Sequence, residues 1–286
     1  MQVRLNTLGQ VIAKCWVEAE EATAKAIAEK YPDPEEENIT FLFAGELRAA
    51  VAHASSKNAF ANAFSADLQQ ALPGFGRDVS SKAAGLMARV NLHSRRHEGR
   101  RSGSDLGVII TQPSVRRHSV LPQVEIVRDH ARALLAQAKL NKRKARRDGR
   151  MSWRSLTRPQ KKILPDHSEY SALLLYRLEG SVRSKLAPFQ WQSCKGHSIE
   201  DIENWLRAGN FPKEISSAEV IRDLSIGTLG TDAGPAVESL ADPPSTWPSS
   251  IEIRVFWPDG EGPPEHLYLQ SVAKQVAKQY VVQYLV

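Results

Sequence analysis

Two segments of the chain decide its fold: Asp105-Leu-Gly-Val-Ile-Ile110 and Ala133-Leu-Leu-Ala-Gln-Ala-Lys-Leu140. Each is a short apolar run typical of a buried β-strand, and each carries polar residues that such a strand does not need. Residues i and i+2 of a strand point to the same face, so Gln137 and Lys139 project together. If the two strands are neighbours, the Asp105 side chain lies beside those of Gln137 and Lys139. The sequence therefore predicts one small site with a carboxylate, an amide oxygen and an ammonium.

This set of side chains suits metal-assisted cleavage of phosphodiester bonds. Mg²⁺ prefers oxygen ligands and is usually held by one or two carboxylates plus water and substrate phosphate. Asp105 is the expected main ligand, and the Gln137 side-chain oxygen or the Ala138 carbonyl completes the protein's share. Lys139 is expected to orient or help deprotonate the attacking water and to offset charge on the phosphorane. The alternative is that Gln-x-Lys is a common tripeptide, and that Lys139 ends a strand and extends to solvent.

The pattern Asp105…Gln137-Ala138-Lys139 resembles the PD-(D/E)xK, or restriction-endonuclease-like, nuclease superfamily, and is similar to the branch with Gln at the variable position, as in Mrr-type restriction enzymes. In this resemblance Asp105 matches the metal-binding aspartate, Gln137 the variable position and Lys139 the catalytic lysine.

Two further positions follow from the resemblance alone. Members of the superfamily often begin their core with a helix whose Glu faces the metal, and Glu46 matches it as a third catalytic and metal-binding residue. A helix after the Lys-bearing strand often points a polar residue at the substrate, and Gln160 matches that one. For each residue the alternative is a solvated side chain.

The positive charge of the chain is concentrated around the predicted site. The formal net charge is +6, but Arg89–Lys162 holds 20 basic against 5 acidic residues, a net of +15, and the remainder holds 18 against 27, a net of −9. Nucleic-acid backbones bind such regions through counterion release. The alternative is a solvated basic loop. Besides Gln160, the candidate nucleic-acid-binding residues are Arg95, Arg96, Arg100, Arg101, Lys142, Arg143, Lys144, Arg146 and Arg147.

Composition favours a soluble globular protein. The charged fraction is 24% and the hydrophobic fraction is 42%. Cys15 and Cys194 are isolated thiols, which suggests a reducing compartment. Packing is the expected role of Cys194 and His197. The alternative is that they form a nucleophile pair or part of a metal site. No apolar run approaches the ~18 residues of a membrane span, and no signal-peptide layout is present, so the expected location is cytoplasmic, without a membrane partner.

The predicted fold class is α/β: a restriction-endonuclease-like mixed sheet flanked by helices, with N-terminal helices and an α+β C-terminal extension. The predicted units are an N-terminal helix (1–36), a nuclease-like core (37–180) and an extension of unassigned role (181–286). Helices are expected over 1–31, 37–54, 59–72, 153–164, 198–208 and 217–229. Strands are expected over 85–92, 106–110, 124–127, around Gln137, over 170–178 and over 251–257, with a loop at 111–122, a turn at 128–129 and a final helix or strand at 267–286.

The function expected from these observations is that of a nuclease dependent on Mg²⁺ or Mn²⁺, an endodeoxyribonuclease acting on double-stranded DNA. The resemblance implies a prokaryotic restriction or anti-phage defence effector, working as a homodimer or with a partner protein of a defence system. The main alternative is a catalytically inactive nucleic-acid-binding or complex-forming subunit with a nuclease-like fold. A third interpretation is that the basic segment binds RNA or an acidic protein.

Overall fold

The structure of the chain is a computed structural model. It describes residues 6–30, 35–71, 87–92, 105–117, 124–142, 152–176, 189–232 and 250–254. The expected tail element at 267–286 lies outside these residues. Within the described residues no helix is long and apolar enough to span a membrane.

Three helices open the chain, as the apolar periodicity predicts: α1 Asn6–Lys30, α2 Glu36–Ser56 and α3 Ala59–Ala71. The turn between α2 and α3 depends on Asn58, which has a φ of 54°. Asparagine tolerates this left-handed conformation better than most residues. Later helices are α4 Arg158–Ile163, a 3₁₀ helix Leu164–Tyr170, α5 Ile199–Ala208 and α6 Ser217–Ser225.

Nine strands pair into one mixed sheet within the described residues. Their bounds are β1 Met87–Leu92, β2 Leu106–Arg117, β3 Val124–Lys142, β4 Ser152–Trp153, β5 Ser171–Tyr176, β6 Phe189–Ser193, β7 Glu214–Ser216, β8 Thr231–Asp232 and β9 Ser250–Arg254. The order is β7-β6-β5-β3-β2-β1-β9, and β4 and β8 each pair with β3. β3 and β5 are parallel, and the other pairs are antiparallel. The chain therefore has a mixed α/β fold with helices flanking the sheet.

The long hairpin of β2 and β3 differs from the sequence prediction. The expected loop at 111–122 is wrong for its first half, because β2 continues to Arg117. The expected turn at 128–129 is also wrong, because β3 runs without interruption from Val124 to Lys142. The two strands pair along this length, with one register shift at Ser114/Val115. Inter-strand hydrogen bonds stabilise polar segments as strands, although their side chains show no apolar alternation.

The sequence units at both ends of the chain contribute to the same sheet and core. β6 and β7, from the expected extension, pair with β5 and with each other, and β9 pairs with β1. Trp16 of α1 contacts Phe43 of α2 at a ring-centroid distance of 4.8 Å and Trp191 of β6 at 6.0 Å. One aromatic cluster therefore joins segments from all three expected units.

The sheet has a different core on each face. Ala136, Ala138 and Leu140 of β3 pack in the core formed with α1, α2, α3 and α6. Leu173 and Leu175 of β5 point the other way, toward the smaller core formed with the residues around α4 and α5. Side chains alternate along a strand and these β3 and β5 positions are in register, so Gln137 and Lys139 lie on the α4/α5 face.

Glu20 is a fully buried carboxyl group in the larger core. Its Oε1 accepts hydrogen bonds from Trp16 Nε1, at 2.7 Å, and from the Ser217 hydroxyl. Its Oε2 is buried without a hydrogen-bond partner among the described residues. Burial raises the pKa of Glu20 to about 8, although the hydrogen bonds from Ser217 and Trp16 lower it. The group is therefore mainly neutral at pH 7 in the folded chain.

We expect Glu20→Gln to remove a loss of stability that wild type shows as the pH rises. The unfolded chain releases the Glu20 proton near pH 4.5, whereas the folded chain keeps it to about pH 8. Folding is therefore favoured fully below the unfolded pKa, and this contribution falls as pH rises through the folded pKa. Melting temperatures between about pH 5 and pH 9 test this. The wild-type value should fall relative to the variant value, and parallel profiles would refute a buried neutral Glu20.

Candidate functional site

The candidate site lies where one edge of β3 has no neighbouring strand among the described residues. β2 ends its pairing where Leu106 meets Ala136, and β4 begins to pair at Asn141. Between these points, the N–H groups of Ala138 and Leu140 point to the β2 side of β3, because alternate residues of a strand share one edge. Both residues are buried. Buried N–H groups need an acceptor, and none of the described strands supplies one to these two.

Two carboxylates take the place of the missing strand. Asp105, immediately before β2, accepts the Ala138 N–H with Oδ2 at 2.7 Å, and its own N–H donates to Ala136 at 2.9 Å. Glu36, the first residue of α2, accepts the Leu140 N–H with Oε2 at 2.9 Å. The gap in the sheet therefore positions two acidic side chains side by side along β3.

Gln137 and Lys139 adjoin these carboxylates. The Gln137 Nε2 donates to Asp105 Oδ2, and the Lys139 Nζ lies 3.8 Å from Glu36 Oε1. Gln137 is 0% and Lys139 is 2% exposed. The alternative in which Lys139 extends to solvent is therefore wrong.

Gln160, in addition to Glu36, contacts the Lys139 ammonium. Its Oε1 accepts from Lys139 Nζ at 3.5 Å and from the Thr157 N–H at 2.8 Å. The second bond is half of a capping box at the start of α4, which Thr157 completes by accepting the Gln160 N–H. Gln160 is 3% exposed, so the alternative of a solvated side chain is wrong. A helix cap therefore fixes the oxygen that faces Lys139.

Two hydroxyl groups, those of Thr40 and Tyr176, hold the first turn of the helix that carries Glu36. The Thr40 hydroxyl donates to the Glu36 carbonyl at 2.9 Å and lies 2.8 Å from the Tyr176 hydroxyl of β5. Burial raises the pKa of Tyr176, and the charges of Asp105 and Glu36 raise it further. The tyrosine therefore stays neutral and ties the first turn of α2 to the sheet.

The oxygen atoms at the gap suit a hard cation. Gln137 Oε1 is buried and has no hydrogen-bond partner among the described residues. Two carboxylates, those of Asp105 and Glu36, and one neutral amide oxygen are the types of ligand that Mg²⁺ uses. No group of three or more His, Cys, Asp or Glu that could hold a metal occurs in the part of the chain that the structure describes. The site would therefore need Gln137 or a main-chain carbonyl as a ligand.

The structure brings four of the sequence-predicted residues together: Asp105, Gln137, Lys139 and Gln160. It does not bring Glu46 to them. Glu46 is on α2, ten residues after Glu36, which is about 15 Å along the helix axis at 1.5 Å per residue. Glu36 is the α2 glutamate that contacts Leu140 and Lys139 of β3.

Sequence reasoning missed Glu36 because its surroundings offered an ordinary explanation for it. Glu35, Glu36 and Glu37 follow a proline-containing segment, and acidic residues are common in the first turn of a helix because they interact favourably with its dipole. Only the tertiary contacts with Leu140 and Lys139 distinguish Glu36 from the other two.

Most of the predicted nucleic-acid-binding residues lie outside the described residues: Arg95, Arg96, Arg100, Arg101, Arg143, Lys144, Arg146 and Arg147. Lys142 is the last residue of β3, and its backbone pairs with Ser152 of β4.

Cys194 does not have the properties of a nucleophile. It is a free, buried thiol, and burial raises its pKa to about 12. Nucleophilic cysteines need a lowered pKa. The His197 ring packs edge-to-face against Trp205 at a centroid distance of 4.6 Å. Packing is therefore the better interpretation of this pair.

Comparison of the chain with protein-family models, with curated proteins and with solved structures finds no match.

We expect Asp105→Ala to cost more stability than Asp105→Asn. Asparagine keeps an oxygen for the Ala138 N–H, whereas alanine leaves that buried donor unsatisfied, which costs about 1–3 kcal/mol. Urea unfolding of both variants measures the difference. Equal free energies of unfolding would contradict the edge-capping role of Asp105.

We expect Tyr176→Phe to loosen the first turn of α2. The variant loses one buried hydrogen bond to Thr40, worth about 1 kcal/mol, and keeps the aromatic packing against Phe189. Hydrogen exchange of the α2 amides measures the effect, with faster exchange expected in the first turn and no change after Leu47. Uniformly faster exchange would mean that the hydroxyl stabilises the whole fold and not the placement of Glu36.

Proposed function

We propose that the chain is a metal-dependent nuclease that hydrolyses phosphodiester bonds, with DNA as substrate. The observation that carries the proposal is the grouping of two carboxylates, a buried lysine and an amide oxygen with no hydrogen-bond partner among the described residues, all at one gap of the sheet. Edge capping accounts for the carboxylates alone. It does not account for a buried ammonium or an unsatisfied amide oxygen, both of which cost free energy.

Asp105, Glu36 and Gln137 would hold the divalent cation, Mg²⁺ or Mn²⁺. The two carboxylates supply the charge, and Gln137 Oε1 supplies a neutral ligand without breaking an existing hydrogen bond. A cation bound there would polarise the phosphate and lower the pKa of a bound water.

Lys139 is the group that acts on the substrate. Its ammonium is held between Glu36 and Gln160, so its position is set before substrate binds. A positive charge fixed in this way stabilises the negative charge that develops on the phosphorane, and it needs no reorganisation during the reaction. The water oxygen bonds to phosphorus and gives up a proton to solvent, one phosphorus–oxygen ester bond breaks, and the departing oxygen takes a proton from solvent.

The resemblance to the PD-(D/E)xK superfamily supports the same chemistry. The proposal extends to what that superfamily implies, which is a restriction-endonuclease-like core and a role in restriction or anti-phage defence. In the proposal Glu36 takes the place of Glu46 as the helix carboxylate, while Asp105, Gln137 and Lys139 keep the roles that the motif implies.

One observation favours a second function, that of an inactive nucleic-acid-binding subunit. Asp105 and Glu36 each accept a main-chain N–H of β3. This structural role needs no metal, and it would preserve both carboxylates in a protein without catalytic activity.

The test is incubation of the purified full chain with supercoiled plasmid in Mg²⁺, Mn²⁺ or EDTA. We expect nicking or linearisation only with metal. Asp105→Asn, Glu36→Gln and Lys139→Met should each lower the rate by about 10²-fold or more, because each removes a charge that the transition state needs. The rate of loss of supercoiled DNA is the measurement.

Glu46→Gln is the matched comparison for Glu36→Gln, since both neutralise a glutamate on α2. Activity should persist in Glu46→Gln. If all proteins fail to cleave in every metal, bind DNA equally and show no heat of Mn²⁺ binding by calorimetry, the active-nuclease proposal is refuted and the binding subunit is favoured.

A further inference from the structure

Three cations form an exposed surface beside the candidate site. Arg154, Arg158 and Lys162 are all exposed, and we refer to them as the α4 basic surface. Among the described residues, no carboxylate lies within ion-pairing distance of their side chains. These cations are therefore available to bind an anion from outside the chain.

The lack of partners is selective within this short segment. Lys161, between the other two α4 cations, forms an ion pair with Glu203 at 2.6 Å. Arg158 and Lys162 are four residues apart on α4, so they are neighbours on one helix face, and like charges at this spacing destabilise a helix. Folding therefore gains nothing from this pair, and a polyanion would offset its repulsion.

The location links this surface to the gap in β3. The Arg154 N–H donates to the Leu140 carbonyl at 3.4 Å, and Leu140 is the residue whose N–H binds Glu36. Gln160, which faces Lys139, lies midway between Arg158 and Lys162 on α4. The same short segment therefore supports the site lysine on its buried side and presents cations on its exposed side.

We propose that the α4 basic surface binds the phosphate backbone of the nucleic acid on either side of the bond that is cleaved. The identity of the ligand rests on the proposed function. The surface contacts phosphates only, so it contributes affinity and placement without sequence preference. Its three residues lie in the basic region Arg89–Lys162, but they are not among the individual contacts named from the sequence, such as Arg143 and Arg146.

The test measures binding without cleavage. Affinity of the full chain for a fluorescent DNA duplex is measured in EDTA over a series of salt concentrations, for wild type and for the triple variant Arg154→Gln, Arg158→Gln, Lys162→Gln. Each phosphate contact contributes about 0.9 to the slope of log K against log salt. The triple variant should bind more weakly, with a slope less negative by about 3.

The control removes the same charge from elsewhere: Lys25→Gln, Arg48→Gln, Lys213→Gln. All three control residues are exposed. Lys25 and Arg48 are on helices that cover the opposite face of the sheet, and Lys213 precedes the edge strand β7. The control should keep the wild-type slope. Thermal melting of both triple variants verifies that each is folded.

The outcomes separate this inference from the proposed nuclease activity. A changed slope in the first triple variant alone supports the surface, even if no metal gives cleavage. Equal slopes in both triple variants refute the surface, even if wild type cleaves plasmid. Tighter binding of single-stranded RNA than of the DNA duplex, with the same loss in the first variant, supports the surface and replaces DNA by RNA as its ligand.

Discussion

The candidate site depends on one constraint, which is that the buried edge of β3 must have acceptors for the N–H groups of Ala138 and Leu140. β2 separates from β3 before these residues, and β4 joins β3 only after them. Since an unsatisfied buried N–H costs about as much as a lost hydrogen bond, Asp105 and Glu36 are fixed at the gap by the requirements of folding.

This arrangement brings side chains from both faces of the sheet to one place. Glu36 comes from α2, which packs in the larger core, and Gln160 comes from α4, which lies on the opposite face. In a continuous sheet the strands would separate these two layers. Lys139 bridges them, with Glu36 on one side of its ammonium and Gln160 on the other. At the gap, therefore, one buried lysine contacts groups from both layers.

The sequence prediction is accurate where a feature depends on residues close together in the chain, and it fails where the feature depends on distant ones. The helix expected over 198–208 is confirmed as α5, which starts at a capping box of Ser198 and Asp201, and such a cap depends on residues only three apart. The polar half of β2 was predicted as a loop, because its strand conformation depends on pairing with β3. Glu36 was missed for the same reason, since its partner Leu140 is 104 residues away.

The sequence by itself determined the mixed α/β class, the grouping of Asp105 with Gln137 and Lys139, and the concentration of positive charge in the sequence segment that contains them. These features follow from alternation along strands and from residue types, which are local properties. Only the tertiary structure decided which glutamate of α2 joins the site, that Lys139 is buried, and that Gln160 fixes it. Each of these depends on how far β2 accompanies β3, and long-range strand pairing is set by the packing of the whole sheet.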